Sequence, residues 1–208
     1  MRKQLQYRHG GTPETDMRRL DLPIGPVLDF SVNLNPLGPP SIIQEKWPEL
    51  HAGVENYPSM DGEGVAHYYR RVMNISTQHF LAGNGSTEMI YLLPRVLGLK
   101  HAVVITPSYH DYERASRLAG AKVVRCPLSE HSGFAFPEAD ALKDALEPAD
   151  ALWMGRPNNP TGNLISKQLI LDLVGRFPDK WFIVDEAFIQ FREDWHTESL
   201  LTESPRPN

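Results

Sequence analysis

From about residue 60 the chain alternates short apolar runs with stretches long enough for helices. His79-Phe80-Leu81-Ala82, Ala102-Val103-Val104-Ile105, Ala121-Lys122-Val123-Val124, Ala151-Leu152-Trp153-Met154 and Trp181-Phe182-Ile183-Val184 have the length and residue types of strands. Between them, Tyr112, Ala115, Leu118 and Ala119 fall on one helical face, and Gly120 stands where a helix C-terminus favours a residue without a side chain. A further helix opens at Ser166 and turns Leu169, Ile170, Leu173 and Val174 inward. Pro94 predicts a kink or early end in the helix around Met89-Ile90-Tyr91. Runs buried on both faces and joined by helices predict a three-layer α/β domain with a mostly parallel sheet, whose ligands bind at the carboxyl ends of the strands. Residues 1 to about 50 have few periodic segments and many turn residues, which predicts an arm preceding a domain over 51–208.

Composition narrows the class without changing this picture. A hydrophobic content of 41%, with 18 prolines scattered at element ends, argues for a folded core over most of the 208 residues. A net charge of -5 and no long basic run give no electrostatic footprint for nucleic acid. Cys126 is the single cysteine, so no intrachain disulfide forms. The N-terminus lacks the apolar centre of a signal peptide and no run approaches a membrane span, which leads us to expect a cytoplasmic protein.

Candidate chemistry lies just after the predicted strands. In Gly83-Asn84-Gly85-Ser86-Thr87-Glu88, two glycines permit close backbone approach and the following helix offers N–H groups to an anion such as a phosphate; the plainer reading is a tight turn with Ser86 or Thr87 as helix cap. Tyr109, in Pro107-Ser108-Tyr109, can stack on a planar ligand, or can join Tyr112 in fastening helix to sheet. His110 reads as a solvated loop histidine. Asn159, in Arg156-Pro157-Asn158-Asn159-Pro160-Thr161-Gly162, and Asp185, in Val184-Asp185-Glu186-Ala187-Phe188, are each explicable as turn or cap residues alone. Taken together they match a protonated pyridine nitrogen facing a buried carboxylate and a phenolic oxygen facing an amide. A metal is the competing use of Asp185 and Glu186, but no His or Asp cluster at ligand spacing completes it.

In this order the motifs resemble fold-type I pyridoxal-phosphate (PLP) enzymes of the class I and II aminotransferase superfamily, over essentially the whole chain. His9-Gly10-Gly11 and Leu28-Asp29-Phe30-Ser31-Val32-Asn33-Leu34-Asn35-Pro36-Leu37-Gly38 are most similar to the L-threonine-O-3-phosphate decarboxylases of cobalamin biosynthesis, with the histidinol-phosphate aminotransferases as near relatives. The resemblance implies PLP as cofactor. It assigns Gly85, Ser86 and Thr87 to the cofactor phosphate, Tyr109 to the pyridine face, Asn159 to the phenolic oxygen and Asp185 to the ring nitrogen. Tyr57, in the Tyr57-Pro58 pair, matches the tyrosine that reaches the cofactor phosphate of a neighbouring subunit, which implies a homodimer. His9, Gly10 and Asn33 match the substrate-contacting arm, with His9 beside a substrate phosphate.

Two departures shape the functional expectation. Phe188 stands where aminotransferase relatives usually carry a tyrosine that shares the phenolic-oxygen hydrogen bond, and Ser86 stands where they carry an acid; the first favours a decarboxylase. The Schiff-base lysine motif of the family is missing: none of Lys3, Lys46, Lys100, Lys122, Lys143, Lys167 and Lys180 lies in a Ser-x-x-Lys context. The expectation is therefore an N-terminal portion, inactive alone. Its full-length relative decarboxylates a phosphorylated amino acid, threonine phosphate to aminopropanol phosphate. An aminotransferase acting on a phosphorylated substrate is the alternative, and an inactive binding module the third reading.

Overall fold

Four of the apolar runs become strands: β1 (His101–Thr106), β2 (Lys122–Pro127), β3 (Ala151–Gly155) and β4 (Trp181–Asp185). They pair in parallel in the order β2-β1-β3-β4. Parallel neighbours need crossovers, and α6 (Asp111–Leu118), α7 (Ala139–Leu146) and α8 (Lys167–Arg176) supply them, while α5 (Gly85–Val96) leads into β1. Because β2 lies on one side of β1 and β3 on the other, the strand order reverses at β1. In sheets of this kind such a reversal is where ligands bind, at the carboxyl ends of the two strands.

Alternation along the strands sorts side chains between two helical layers. Val103 and Ile105 of β1 and Leu152 and Met154 of β3 pack with Leu142, Leu146, Ile170 and Leu173 of α7 and α8. Ala102, Val104 and Trp153 turn the other way, against Ile90 of α5 and Tyr112 and Ala115 of α6. The result is a three-layer α/β domain. For convenience the α5/α6 side is the front and the α7/α8 side the rear. Helix α8 opens as predicted, with the Ser166 hydroxyl accepting from the Leu169 N–H at 3.1 Å, and Gly120 follows the end of α6.

Three local expectations are corrected. Residues 79–82 do not form a strand: Thr77–His79 is a 3-10 turn, and Phe80, though extended, has no ladder partner among the described residues. An extended segment without a hydrogen-bonded neighbour is not a strand, however apolar it is. Tyr112 and Ala115 are buried as predicted, but Leu118 is 59% exposed, so the inner face of α6 is only partly the predicted one. That face carries Tyr112, Ala115 and Ser116 with Asp111 and Glu113, because Glu113 accepts from Arg125 Nε at 2.8 Å and Arg117 Nε at 2.8 Å. Finally, Pro94 neither ends nor excludes α5. It is buried within the helix, which runs on to Val96.

The computed structural model describes residues 10–202 and divides the chain at Pro58/Ser59. The first unit, expected as an extended arm, carries α1 (Pro13–Arg19), α2 (Ser41–Glu45) and α3 (Trp47–Ala52) between irregular stretches, and none of its described residues is buried. Helix α4 (Glu63–Met73) opens the second unit. Among the described residues no helix is long and apolar enough to cross a membrane.

Two outcomes follow for stability. Leu142→Ala should cost about 2–5 kcal/mol in urea unfolding, since it empties a fully buried site, whereas Leu118→Ala should stay within about 0.5 kcal/mol. Equal losses would contradict this layering. Burial raises the Glu113 carboxyl, but hydrogen bonds from Arg125 and Arg117 outweigh it and leave the group below its ordinary value of 4.5. Its contribution is therefore whole above about 4.5 and lost as pH falls through the lower folded value. The melting-temperature gap between the native protein and Glu113→Gln should close on acidification, and a gap independent of pH would contradict the pairing.

Candidate active site

The β1 and β3 loops meet at this reversal. After β1 the chain runs Thr106-Pro107-Ser108-Tyr109 into α6, and after β3 it runs Arg156-Pro157-Asn158-Asn159. The buried Asn158 side chain ties the two, its Nδ2 donating to the Pro107 carbonyl at 2.9 Å and to Thr161 Oγ1 at 2.8 Å. Asn159, next in line, is partly exposed. Asp185 ends β4 beside Gly155 of β3, its register partner.

Parity decides where the carboxylates point. Asp185 shares the front face with Ile183 and accepts from the Tyr112 hydroxyl at 2.9 Å and the Ala187 N–H at 2.9 Å. Tyr112 is 2% exposed and stacks on Trp153 with centroids 5.1 Å apart. Burial, and then the Asp185 carboxylate, push its hydroxyl far above the ordinary tyrosine range. The Tyr109 ring meets Tyr112 edge-on at 5.7 Å. Burial and the Asp111 carboxylate push the Tyr109 hydroxyl up to about 12, and a hydrogen bond with Thr87 partly offsets this. Thr87, Tyr109, Tyr112 and Asp185 thus form one contiguous front-face chain from the start of α5 to the end of β4.

The α5 N-terminus is open. The helix starts at Gly85, with φ of 75° and nothing within 4 Å of where a Cβ would stand. Its N-cap is Asn84, and no side chain caps it, so Ser86 and Thr87 lie inside the first turn and are not the caps of the plainer reading. Glu88 instead reaches back to the Asn84 N–H. Exposed Gly85, Ser86 and Thr87 therefore offer an uncapped helix start, suited to an anion.

Glu186, one residue beyond Asp185, takes the rear face. Arg156, fully buried, donates from Nη1 to Glu186 at 3.0 Å, from Nη2 to Glu198 at 2.7 Å and from Nε to the Ile165 carbonyl at 2.8 Å. Glu186 also accepts from Ser199 Oγ at 2.7 Å and the Leu200 N–H at 3.1 Å. The two neighbouring acids therefore cannot share an ion. Lys167 is engaged on this rear side too, its Nζ donating to the Thr197 carbonyl at 3.0 Å and Thr202 Oγ1 at 2.9 Å. A rear cavity of about 520 Å³, lined by residues including Lys167, Arg192 and Glu198, lies with this network.

Sequence reasoning missed the rear clamp, although Arg156 and Glu186 share strand parity with Met154 and Val184 and so were bound to meet inside. It also mistook His110 for a solvated residue: the ring is 29% exposed, 3.4 Å from Asp111, and tilted against Tyr109. Asp111 is buried and accepts from Tyr91 at 2.9 Å. In the first unit, Gly10 lies against Ser31, whose Oγ accepts from the Gly11 N–H at 2.9 Å. This joins two of the sequence motifs. Asn33 and Tyr57 are exposed, and His9 lies outside the described residues.

A parallel sheet with helices on both faces, an open helix N-terminus and a carboxylate at a strand end mark the nucleotide- and cofactor-binding class of α/β enzymes. Comparison resolves the family: residues 25–208 match aminotransferase class I and II, and the chain belongs to it. Members of this family depend on PLP. The chain is 33% identical over 186 residues to threonine-phosphate decarboxylase of Salmonella typhimurium, covering 88% of this chain and 50% of that protein. It is 31% identical over 199 residues to histidinol-phosphate aminotransferase of Symbiobacterium thermophilum, covering 94% and 54%. The crystal structure of histidinol-phosphate aminotransferase from Clostridium acetobutylicum superposes with a TM-score of 0.71 at 27% identity, covering 84% of this chain and 51% of that one. The chain thus spans about half the length of these relatives.

Removing the rear cation should be costly. Arg156→Met leaves the Glu186 carboxylate buried without its cation and should destabilise the protein by about 3–5 kcal/mol in denaturant unfolding. Arg156→Lys should recover only part of this, because an ammonium cannot make the fork of bonds. Full recovery by lysine would show that charge alone matters there.

Proposed function

We propose that this chain forms the cofactor-phosphate and pyridine side of a PLP enzyme that decarboxylates a phosphorylated amino acid. The single observation that carries the PLP reading is the placement of Asp185 on the same face as Tyr109, joined through Tyr112. The chemistry of the available groups suits PLP. Gly85, Ser86 and Thr87 at the uncapped start of α5 hold the phosphate, where N–H groups and the helix dipole favour negative charge. Tyr109 lies against the ring face, Asn159 donates its amide to the phenolic oxygen, and Asp185 keeps a proton on the ring nitrogen. When bound, PLP draws into its ring the electron pair left on the substrate α-carbon. Asp185 supports this with a carboxylate whose two oxygens are fixed by the Tyr112 and Ala187 donors.

Decarboxylation is preferred over amino transfer on one residue. Phe188 carries no hydroxyl, so it leaves the phenolic oxygen to Asn159, as in the decarboxylase pattern read from the sequence. The kinship to threonine-phosphate decarboxylase supports this choice, and that to histidinol-phosphate aminotransferase supports a phosphorylated substrate in either case. His9, Gly10 and Asn33 are assigned to that substrate, with His9 on its phosphate. The working form is a homodimer in which the fully exposed Tyr57 reaches the partner's phosphate site.

The longer protein supplied with PLP should release CO2 from O-phospho-L-threonine and should not transfer an amino group from histidinol phosphate to a 2-oxo acid. Asp185→Asn should slow that release by about 100- to 1,000-fold, the usual loss for one preorganised charged contact. Amino transfer without CO2 release would overturn the decarboxylase reading in favour of the aminotransferase.

A further inference from the structure

We propose that Tyr112 is a positioning residue for the cofactor nitrogen, acting through Asp185, and not merely a core aromatic that fastens α6 to the sheet. This rests on the PLP reading above and adds a residue to it. Three contacts carry the inference. The hydroxyl donates to Asp185 Oδ2 at 2.9 Å, the ring stacks on Trp153 at 5.1 Å with planes 12° apart, and its edge meets Tyr109 at 5.7 Å. One side chain therefore touches both groups assigned to the pyridine ring, the carboxylate and the aromatic face.

The geometry makes the contact directional. Asp185 Oδ1 accepts from the Ala187 N–H and Oδ2 from Tyr112, so one donor on each oxygen sets the carboxylate plane, and each oxygen keeps a second lone-pair direction for a further donor. The phenol cannot turn aside, being stacked on a tryptophan that is itself 1% exposed. Space is confined as well: a Cβ built on Gly155 would stand 3.3 Å from the Tyr112 hydroxyl, so only a residue without a side chain leaves the bonded oxygen uncrowded. Without the phenol the carboxylate is free to turn out of this plane, and the lone pair directed at the ring nitrogen loses its aim.

The discriminating variant is Tyr112→Phe, which keeps the stack and the edge contact and removes one oxygen. In the longer protein loaded with 15N-labelled PLP, the ring-nitrogen NMR shift should move from the pyridinium value toward that of neutral pyridine, and the cofactor dissociation constant should rise about tenfold. A purely structural tyrosine predicts a native shift and native affinity in Tyr112→Phe, and that result would overturn the proposal. Site-specific 2,3-difluorotyrosine, a stronger donor of nearly the same shape, should move the shift the opposite way and covers the case in which the phenylalanine variant folds poorly. Asp185→Asn separates this inference from its foundation. If Asp185→Asn moves the shift and Tyr112→Phe does not, Tyr112 alone is wrongly assigned. If neither moves it, the PLP reading of Asp185 fails, and this inference with it.

Discussion

Neighbouring residues of a strand face opposite sides of a sheet, and at the end of β4 this constraint places Asp185 among the rings of α6 and Glu186 on a buried guanidinium. The same parity sends Arg156 rearward from β3. The Arg156 N–H also donates to the Asp185 carbonyl at 2.8 Å, so the two strand ends are joined through backbone as well as side chains. A slip of one residue in β3 would turn Arg156 forward and leave Glu186 without its cation in the rear core, and a slip in β4 would turn Glu186 forward, away from Arg156. The register of β3 against β4 is thus enforced by charge, and the position of the candidate site follows from it.

Much of the fold was legible because its signals are local. Four of the five apolar runs formed strands joined by helices, as their alternation indicated, and Ser166 and Gly120 marked helix ends through their own local chemistry. The failures were tertiary. Residues 79–82 looked like the other runs, but strandedness needs a neighbour, which composition does not reveal. On α6, a pattern counting only apolar residues chose Leu118, whereas ion pairs with Arg117 and Arg125 made Glu113 an inward-facing residue.

For the site, motif chemistry identified the loops and missed what supports them. Gly85, Thr87, Tyr109 and Asp185 were named from their strand-end positions, and the first-turn placement of Ser86 and Thr87 removes the capping alternative. Tyr112 was read as packing because aromatic periodicity does not distinguish a ring that packs from one whose hydroxyl is committed to a carboxylate 73 positions away. Arg156 was passed over as part of a turn motif, yet its side chain has no exposed surface and four acceptor groups around it.

The account turns on whether one molecule of PLP spans from the start of α5 to the end of β4. A crystal structure of the longer protein with PLP bound measures this directly. It should place the phosphate oxygens on the Gly85, Ser86 and Thr87 amides, the ring against Tyr109, and the ring nitrogen within hydrogen-bonding distance of the Asp185 carboxylate. A cofactor seated elsewhere, or one whose nitrogen points away from Asp185, would contradict it.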